Sequence, residues 1–152
     1  MCFEELLARD GKLVYKTRGV SMEPMLRQNR DLVVIQTPAS RLRKYDVALY
    51  RRGQNYVLHR VIGLASDHYL IRGDNTYAVE HVPESDVIGV LTAFTRKGRQ
   101  FRTTDSGYRL YARVWCAIYP LRLLRVRTRR LAVRAVRKAG LEPMLKRMLG
   151  RA

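Results

Sequence analysis

Three side chains in this chain have the types and contexts for nucleophilic acyl transfer. Ser21 sits in Gly19-Val20-Ser21-Met22-Glu23-Pro24, His59 in Leu58-His59-Arg60-Val61-Ile62, and Asp74 in Arg72-Gly73-Asp74-Asn75. A serine hydroxyl is a poor nucleophile until a base takes its proton, and the base works best when a third group fixes its tautomer. An imidazole suits the base role because its ordinary pKa near ~6.5 leaves much of it neutral at pH 7. A lysine there would need burial to depress its pKa by several units. Gly19 permits backbone geometry that other residues resist, and Pro24 stiffens the exit from the turn. The same serine string also reads as a turn ahead of a helix N-terminus, and Asp74 as a turn cap.

Taken together and in order, these contexts resemble the signal peptidase I superfamily, which includes the LexA-type self-cleavage domains. Gly19 to Leu26, GVSMEPML, resembles the family's serine box. Arg30 to Ile35 and Tyr45 to Tyr50 resemble the hydrophobic strands that follow it. His59-Arg60-Val61-Ile62 resembles the box in which the endoplasmic-reticulum, archaeal and sporulation-type enzymes carry His-Arg, and Arg72-Gly73-Asp74-Asn75 resembles the Gly-Asp-Asn box. The likeness runs from about Lys12 to Thr95.

The resemblance implies a serine endopeptidase with Ser21 as nucleophile and His59 as general base. It implies that Asp74 is needed and that a second acid a few residues on can orient the base; Glu80 stands there, with His81 beside it. The backbone N–H of Ser21 would form the oxyanion hole. Gly19 occupies the place where some members add a serine hydroxyl, a loss typically costing about 10²–10³ in rate. Arg30 and Tyr45 stand where glycine is frequent in the family. The substrate implied is an extended segment laid along a β edge, with small residues one and three before the cut. No cofactor and no metal is implied. Only twenty residues precede Ser21, so the expectation is a form without the usual N-terminal membrane anchor, acting on a peptide or protein precursor.

Composition is consistent with a folded catalytic domain. Of 152 residues, 47% are apolar and 28% charged, ordinary globular proportions. Cys2 and Cys116 make no metal-ligand spacing, and the three histidines, His59, His68 and His81, do not supply one. A reducing compartment is expected, hence a cytoplasmic protein. No apolar run approaches the ~20 residues of a membrane-spanning helix. Charge is uneven: residues 1–108 balance at +5, whereas residues 109–152 balance at +12 with Glu142 their one acid. Such asymmetry argues for an anionic partner of the tail.

The elements that must position these side chains follow from periodicity. Phe3, Leu6 and Leu7 recur at helical spacing until Asp10-Gly11. Short β-rich runs cover Leu13–Thr17, Asp31–Thr37, Val47–Arg51, Tyr56–Leu64, Tyr69–Arg72 and Val87–Thr95. Hairpin loops fall at Arg52–Asn55, Ala65–His68 and Lys97–Gln100. The fold expected is mainly β: an antiparallel body over 1–107 resembling the signal peptidase and LexA domains, then a basic amphipathic helical extension over 108–152.

In that extension Pro120 is expected to interrupt the helix, Gly140 to cap it, and Leu141 to Leu149 to form a last short turn. Leu121, Leu124, Thr128, Leu131, Ala132 and Ala135 share one helical face, with Arg122, Arg129, Arg130 and Arg134 mostly outside it; Arg125 intrudes, and Leu123, Val126 and Val133 sit off the stripe. With Trp115, Tyr108, Tyr111 and Tyr119 as interface anchors, these arginines suit a membrane surface, on the inner face of the membrane. A nucleic-acid arm and a plain helical cover are the other readings of the tail. The competing function is a peptidase-like binding module without activity, attached through the tail to a membrane or nucleic acid.

Overall fold

Runs of apolar residues joined by short turns give hairpins between strands adjacent in sequence, while the strand Val87–Arg96 also pairs with two distant ones, and every pairing is antiparallel. The computed structural model describes residues 2–138. The expected cap at Gly140 and the apolar pattern Leu141 to Leu149 lie outside the described residues, as do the side chains of Arg129 and Arg130. Helix α1, Phe3–Asp10, precedes β1 (Lys12–Lys16), β2 (Leu32–Gln36), β3 (Val47–Arg52), β4 (Asn55–Leu64), β5 (His68–Arg72), β6 (Glu80–Pro83), β7 (Val87–Arg96) and β8 (Arg99–Arg102). Helices α2 (Ser106–Ala117) and α3 (Tyr119–Lys138) follow. The eight strands form one sheet in the order β1-β2-β7-β3-β4-β5-β6, with β8 also on β7.

The middle of this sheet is buried on both faces. In β3, Val47 and Leu49 turn toward one apolar cluster, with Leu58, Val33, Ile35 and Leu91. Ala48 and Tyr50 turn toward the other, with Val61, Tyr69, Ile71 and Val82. A strand covered on both sides reads as a continuous apolar run, which is what VALY is. Each Val, Leu and Ile among them contributes about 1.5–3 kcal/mol on burial.

Two strands have no counterpart in the periodicity. β6 is a four-residue edge strand ending in Pro83, a residue edges tolerate because it need not donate. β8 lies where a longer loop was expected. The connection tightens to Lys97-Gly98, both at positive φ (50° and 76°), which matches the twist of a two-residue hairpin. Pro120 marks an interruption, as expected: α2 ends at Ala117 and a new helix starts at Tyr119. The proline falls in the first turn of α3, where the missing N–H has no intrahelical partner to lose.

The chain divides into two units, Met1–Cys116 and Ala117–Ala152. Most of α2 therefore belongs with the sheet: Tyr108 and Ala112 are buried, and the Tyr108 ring packs 5.8 Å from that of Phe94. Among the described residues no helix is long and apolar enough to cross a membrane.

Candidate active site

Ser21 lies on the connection from Thr17 to Asp31 that joins β1 to β2. Apolar spacing anchors this connection: Met22, Met25 and Leu26 are all buried in the first core cluster. Hydrogen bonds close its base, from Thr17 Oγ1 to the Arg27 carbonyl (3.1 Å) and from the Arg27 N–H to Asp31 Oδ2 (2.9 Å). Asp31 is fully buried and also takes the Arg30 guanidinium, at 2.6 Å. Arg30, unusual beside the resembling boxes, thus acts as the charge partner of Asp31. Gly19 has φ +80°, a region L side chains resist, so the turn depends on glycine there.

His59 sits in the middle of β4 opposite Ala48, with 4% of its surface exposed. Alternation puts it on the face that carries Tyr50, Val57 and Val61. Its Nδ1 lies 3.1 Å from Glu80 Oε1 and 3.2 Å from the Tyr50 hydroxyl. A carboxylate can only accept, so Nδ1 carries the proton and Nε2 is left with its lone pair. Nε2 points to Gly73 and the serine turn: a Cβ added to Gly73 would stand 3.0 Å from Nε2 and 2.7 Å from the Ser21 carbonyl oxygen. Ser21 and His59 both line one open cleft of about 1000 Å³, with Glu80 on its wall. Among the described residues no hydrogen bond joins Ser21 Oγ to the ring, a looseness common in sites without substrate.

Electrostatics favour a neutral ring. Burial pulls the His59 pKa below its ordinary value of 6.5, while the Glu80 charge and hydrogen bond act the other way; the net shift is downward. Tyr50 is pushed up by burial and by Glu80, so the phenol keeps its proton and donates to that carboxylate. Arg52 reaches Glu80 from the solvent side, at 3.2 and 3.3 Å. Glu80 is therefore held by three groups at once.

Asp74 is placed differently. Its carboxylate receives Arg60 Nε and Nη2, both at 2.8 Å, in a bidentate pair. Arg60 is fully buried and spends its other donors on the Tyr45 carbonyl, the Tyr108 hydroxyl and Met25 Sδ. Burial works against the Arg60 charge, and Asp74 more than offsets it, so the pKa goes up. Of the two acids, Glu80 contacts the His59 ring, and Asp74 pairs with Arg60, whose Nη2 also reaches Met25 in the serine turn. Trp115 also belongs to this cluster: its Nε1 donates to the Asp74 carbonyl at 3.1 Å, and its ring stacks on Tyr111. It is half-buried, with its indole N–H committed to the body.

Asn75 has a part that periodicity did not reveal. Its backbone N–H donates to the Ser21 carbonyl (2.7 Å), and its side-chain amide donates to the Val20 carbonyl (3.2 Å). The segment Gly73-Asp74-Asn75 thus approaches the serine turn, pairs Arg60 and clamps Ser21 in three successive residues. Tyr50 was legible only in hindsight, as the residue two along from the position opposite His59. For Arg52 no sequence signal existed. His68 and His81 pair with each other (Nε2 to Nδ1, 3.1 Å) beside Asp67, away from the cleft lining. Both cysteines are free.

The amide of Ser21 meets no protein acceptor among the described residues, so it can receive a developing oxyanion. No known family model matches this chain, and no curated protein matches it either.

Proposed function

We propose that the chain is a serine endopeptidase of the Ser–His type, similar in fold and site to signal peptidase I and its LexA-type relatives. The observation that carries this reading is the single-proton chain from Glu80 through His59. A carboxylate holds Nδ1–H, and the free Nε2 lone pair faces the segment that carries Ser21.

The chemistry follows from those positions. Ser21 Oγ adds to a substrate carbonyl as its proton passes to His59 Nε2. The oxyanion is received by the Ser21 N–H. Glu80, steadied by Arg52 and Tyr50, stabilises the imidazolium without taking its proton. His59 then protonates the leaving amine, the C–N bond breaks, and an acyl-Ser21 ester remains. Water, deprotonated by the same nitrogen, releases the second product and restores the hydroxyl.

The cleft suits an extended peptide. Its floor is apolar, from Tyr15, Met22, Leu26 and Leu58, and its rim carries Lys16 and Arg18. β1 ends the sheet order, so its outer edge can accept backbone hydrogen bonds from such a segment. The substrate proposed is a peptide or protein precursor with small residues before the cut; no cofactor takes part.

The test is a fluorophosphonate serine probe on wild type and Ser21→Ala, run beside cleavage of an Ala-x-Ala peptide. Labelling and cleavage that vanish together in Ser21→Ala support the reading. Equal labelling of both proteins, or no cleavage by wild type under conditions where a control serine peptidase works, turns it toward an inactive binding module.

A further inference from the structure

Helix α3 combines two features that oppose each other in water. Leu121, Leu124 and Leu131 are 68%, 59% and 62% exposed. At about 100° per residue they fall with Thr128 and Ala132 on one stripe roughly 100° wide. The exposed arginines Arg127 and Arg134 project on one side of that stripe and Arg125 on the other. The helix sequence holds eight Lys and Arg residues and no acid.

Neither feature alone names a partner, but the pair restricts the choice. A nucleic acid rewards the arginines and offers nothing to three leucines, which would stay hydrated against phosphates. A second copy would cover the leucines while bringing two acid-free arginine borders together. An anionic lipid surface satisfies both groups at once. The leucines enter the acyl boundary, and the flanking arginines, whose long stems let the guanidinium reach back, lie at the headgroup phosphates. The charge density also keeps the helix from crossing the bilayer.

We propose that α3 is an interfacial docking helix for anionic membrane surfaces, with Leu121, Leu124 and Leu131 as the inserted stripe and Arg125, Arg127 and Arg134 as its charged borders. This does not depend on the peptidase reading: Ser21→Ala is expected to bind vesicles as wild type does.

The experiment is co-sedimentation of the full chain with vesicles of phosphatidylcholine alone and of phosphatidylcholine mixed with phosphatidylglycerol. Two triple variants are compared, Leu121→Ser/Leu124→Ser/Leu131→Ser and Arg125→Gln/Arg127→Gln/Arg134→Gln. All six positions are exposed, and circular dichroism with thermal unfolding verifies the fold. Wild type is expected to pellet with the anionic vesicles only, and less as salt rises. The arginine variant is expected to bind about 10²-fold more weakly, at roughly fivefold per charge. The leucine variant keeps every charge and is expected to lose binding at physiological salt. Equal pelleting of wild type and leucine variant would reduce the effect to surface charge and overturn the proposal. So would equal pelleting with both vesicle types. A wild-type dimer that the leucine substitutions dissociate, without vesicle binding, would assign the stripe to a second copy. Tight duplex DNA binding indifferent to the leucines, again without vesicle binding, would assign the helix to nucleic acid.

Discussion

His59 Nδ1 and Glu80 Oε1 lie 3.1 Å apart, although the two residues sit on strands separated in the sheet by β5. β5 runs out at Arg72, and Gly73 follows it beside Nε2 and the Ser21 carbonyl, so the missing side chain leaves room on the opposite side of the ring from Glu80. The acid therefore holds one side of the ring while the glycine leaves the other side close to the serine turn. This relationship sets the tautomer, and the tautomer sets the direction in which the base can act.

Glu80→Gln tests the orienting role. The amide can still accept from Nδ1–H but no longer stabilises imidazolium, and kcat is expected to fall by about 10²–10⁴. Glu80 also raises the His59 pKa against the burial that lowers it. Removing the charge therefore moves the acid limb of the pH–rate profile to lower pH. A limb that moves to higher pH, or an unchanged kcat, would dissociate Glu80 from the base.

The wild-type pH dependence has a defined sign. Only neutral His59 can accept the serine proton, and its folded pKa lies below 6.5 because the ring is buried. Activity is expected to hold below pH 6.5 and then decline as the ring protonates. Stability moves the same way. A histidine whose folded pKa is depressed contributes stability above its unfolded pKa, near ~6.5, and that contribution is lost as pH falls through it toward the folded pKa. Thermal melts of wild type and His59→Gln between pH 7.5 and 5, values of ordinary buffers (roughly the histidine range), should show the steeper fall in wild type.

Asp74→Ala should be among the most damaging substitutions for folding. It leaves the fully buried Arg60 guanidinium without its carboxylate, a loss of about 3–5 kcal/mol. Arg60→Met together with Asp74→Ala removes both charges and should recover part of that loss. Urea denaturation of the three variants measures it; a double variant less stable than Asp74→Ala alone would contradict the pairing argument.

Gly73→Ala should separate folding from catalysis. The new Cβ would meet the Ser21 carbonyl at 2.7 Å and His59 Nε2 at 3.0 Å, and the first of these is backbone that cannot swing aside. A shift approaching 1 Å at the nucleophile is expected to lower kcat/KM by about 10²-fold. Asn75→Ala, which frees the Val20 carbonyl but keeps the backbone clamp on Ser21, should cost less than Gly73→Ala. Reversal of that order in peptide-cleavage assays would mean that the side-chain amide, and not the close approach, positions the serine.

The amino-acid sequence by itself determined the mainly β body, the antiparallel hairpins, the terminal helices and the places of Ser21 and His59. Alternation, turn residues and apolar spacing are local properties, and a reader can follow them along the chain. What tertiary structure alone decided is which side chains meet. Which of Asp74 and Glu80 meets His59 stayed open in the sequence until strand order sent one to Arg60 and the other to the ring. β6, which carries Glu80, is four residues long and too short for a periodic signal. The clamp from Asn75 and the brace from Arg52 join segments far apart in the chain, and no local pattern encodes a contact that exists only once the strands between them have paired.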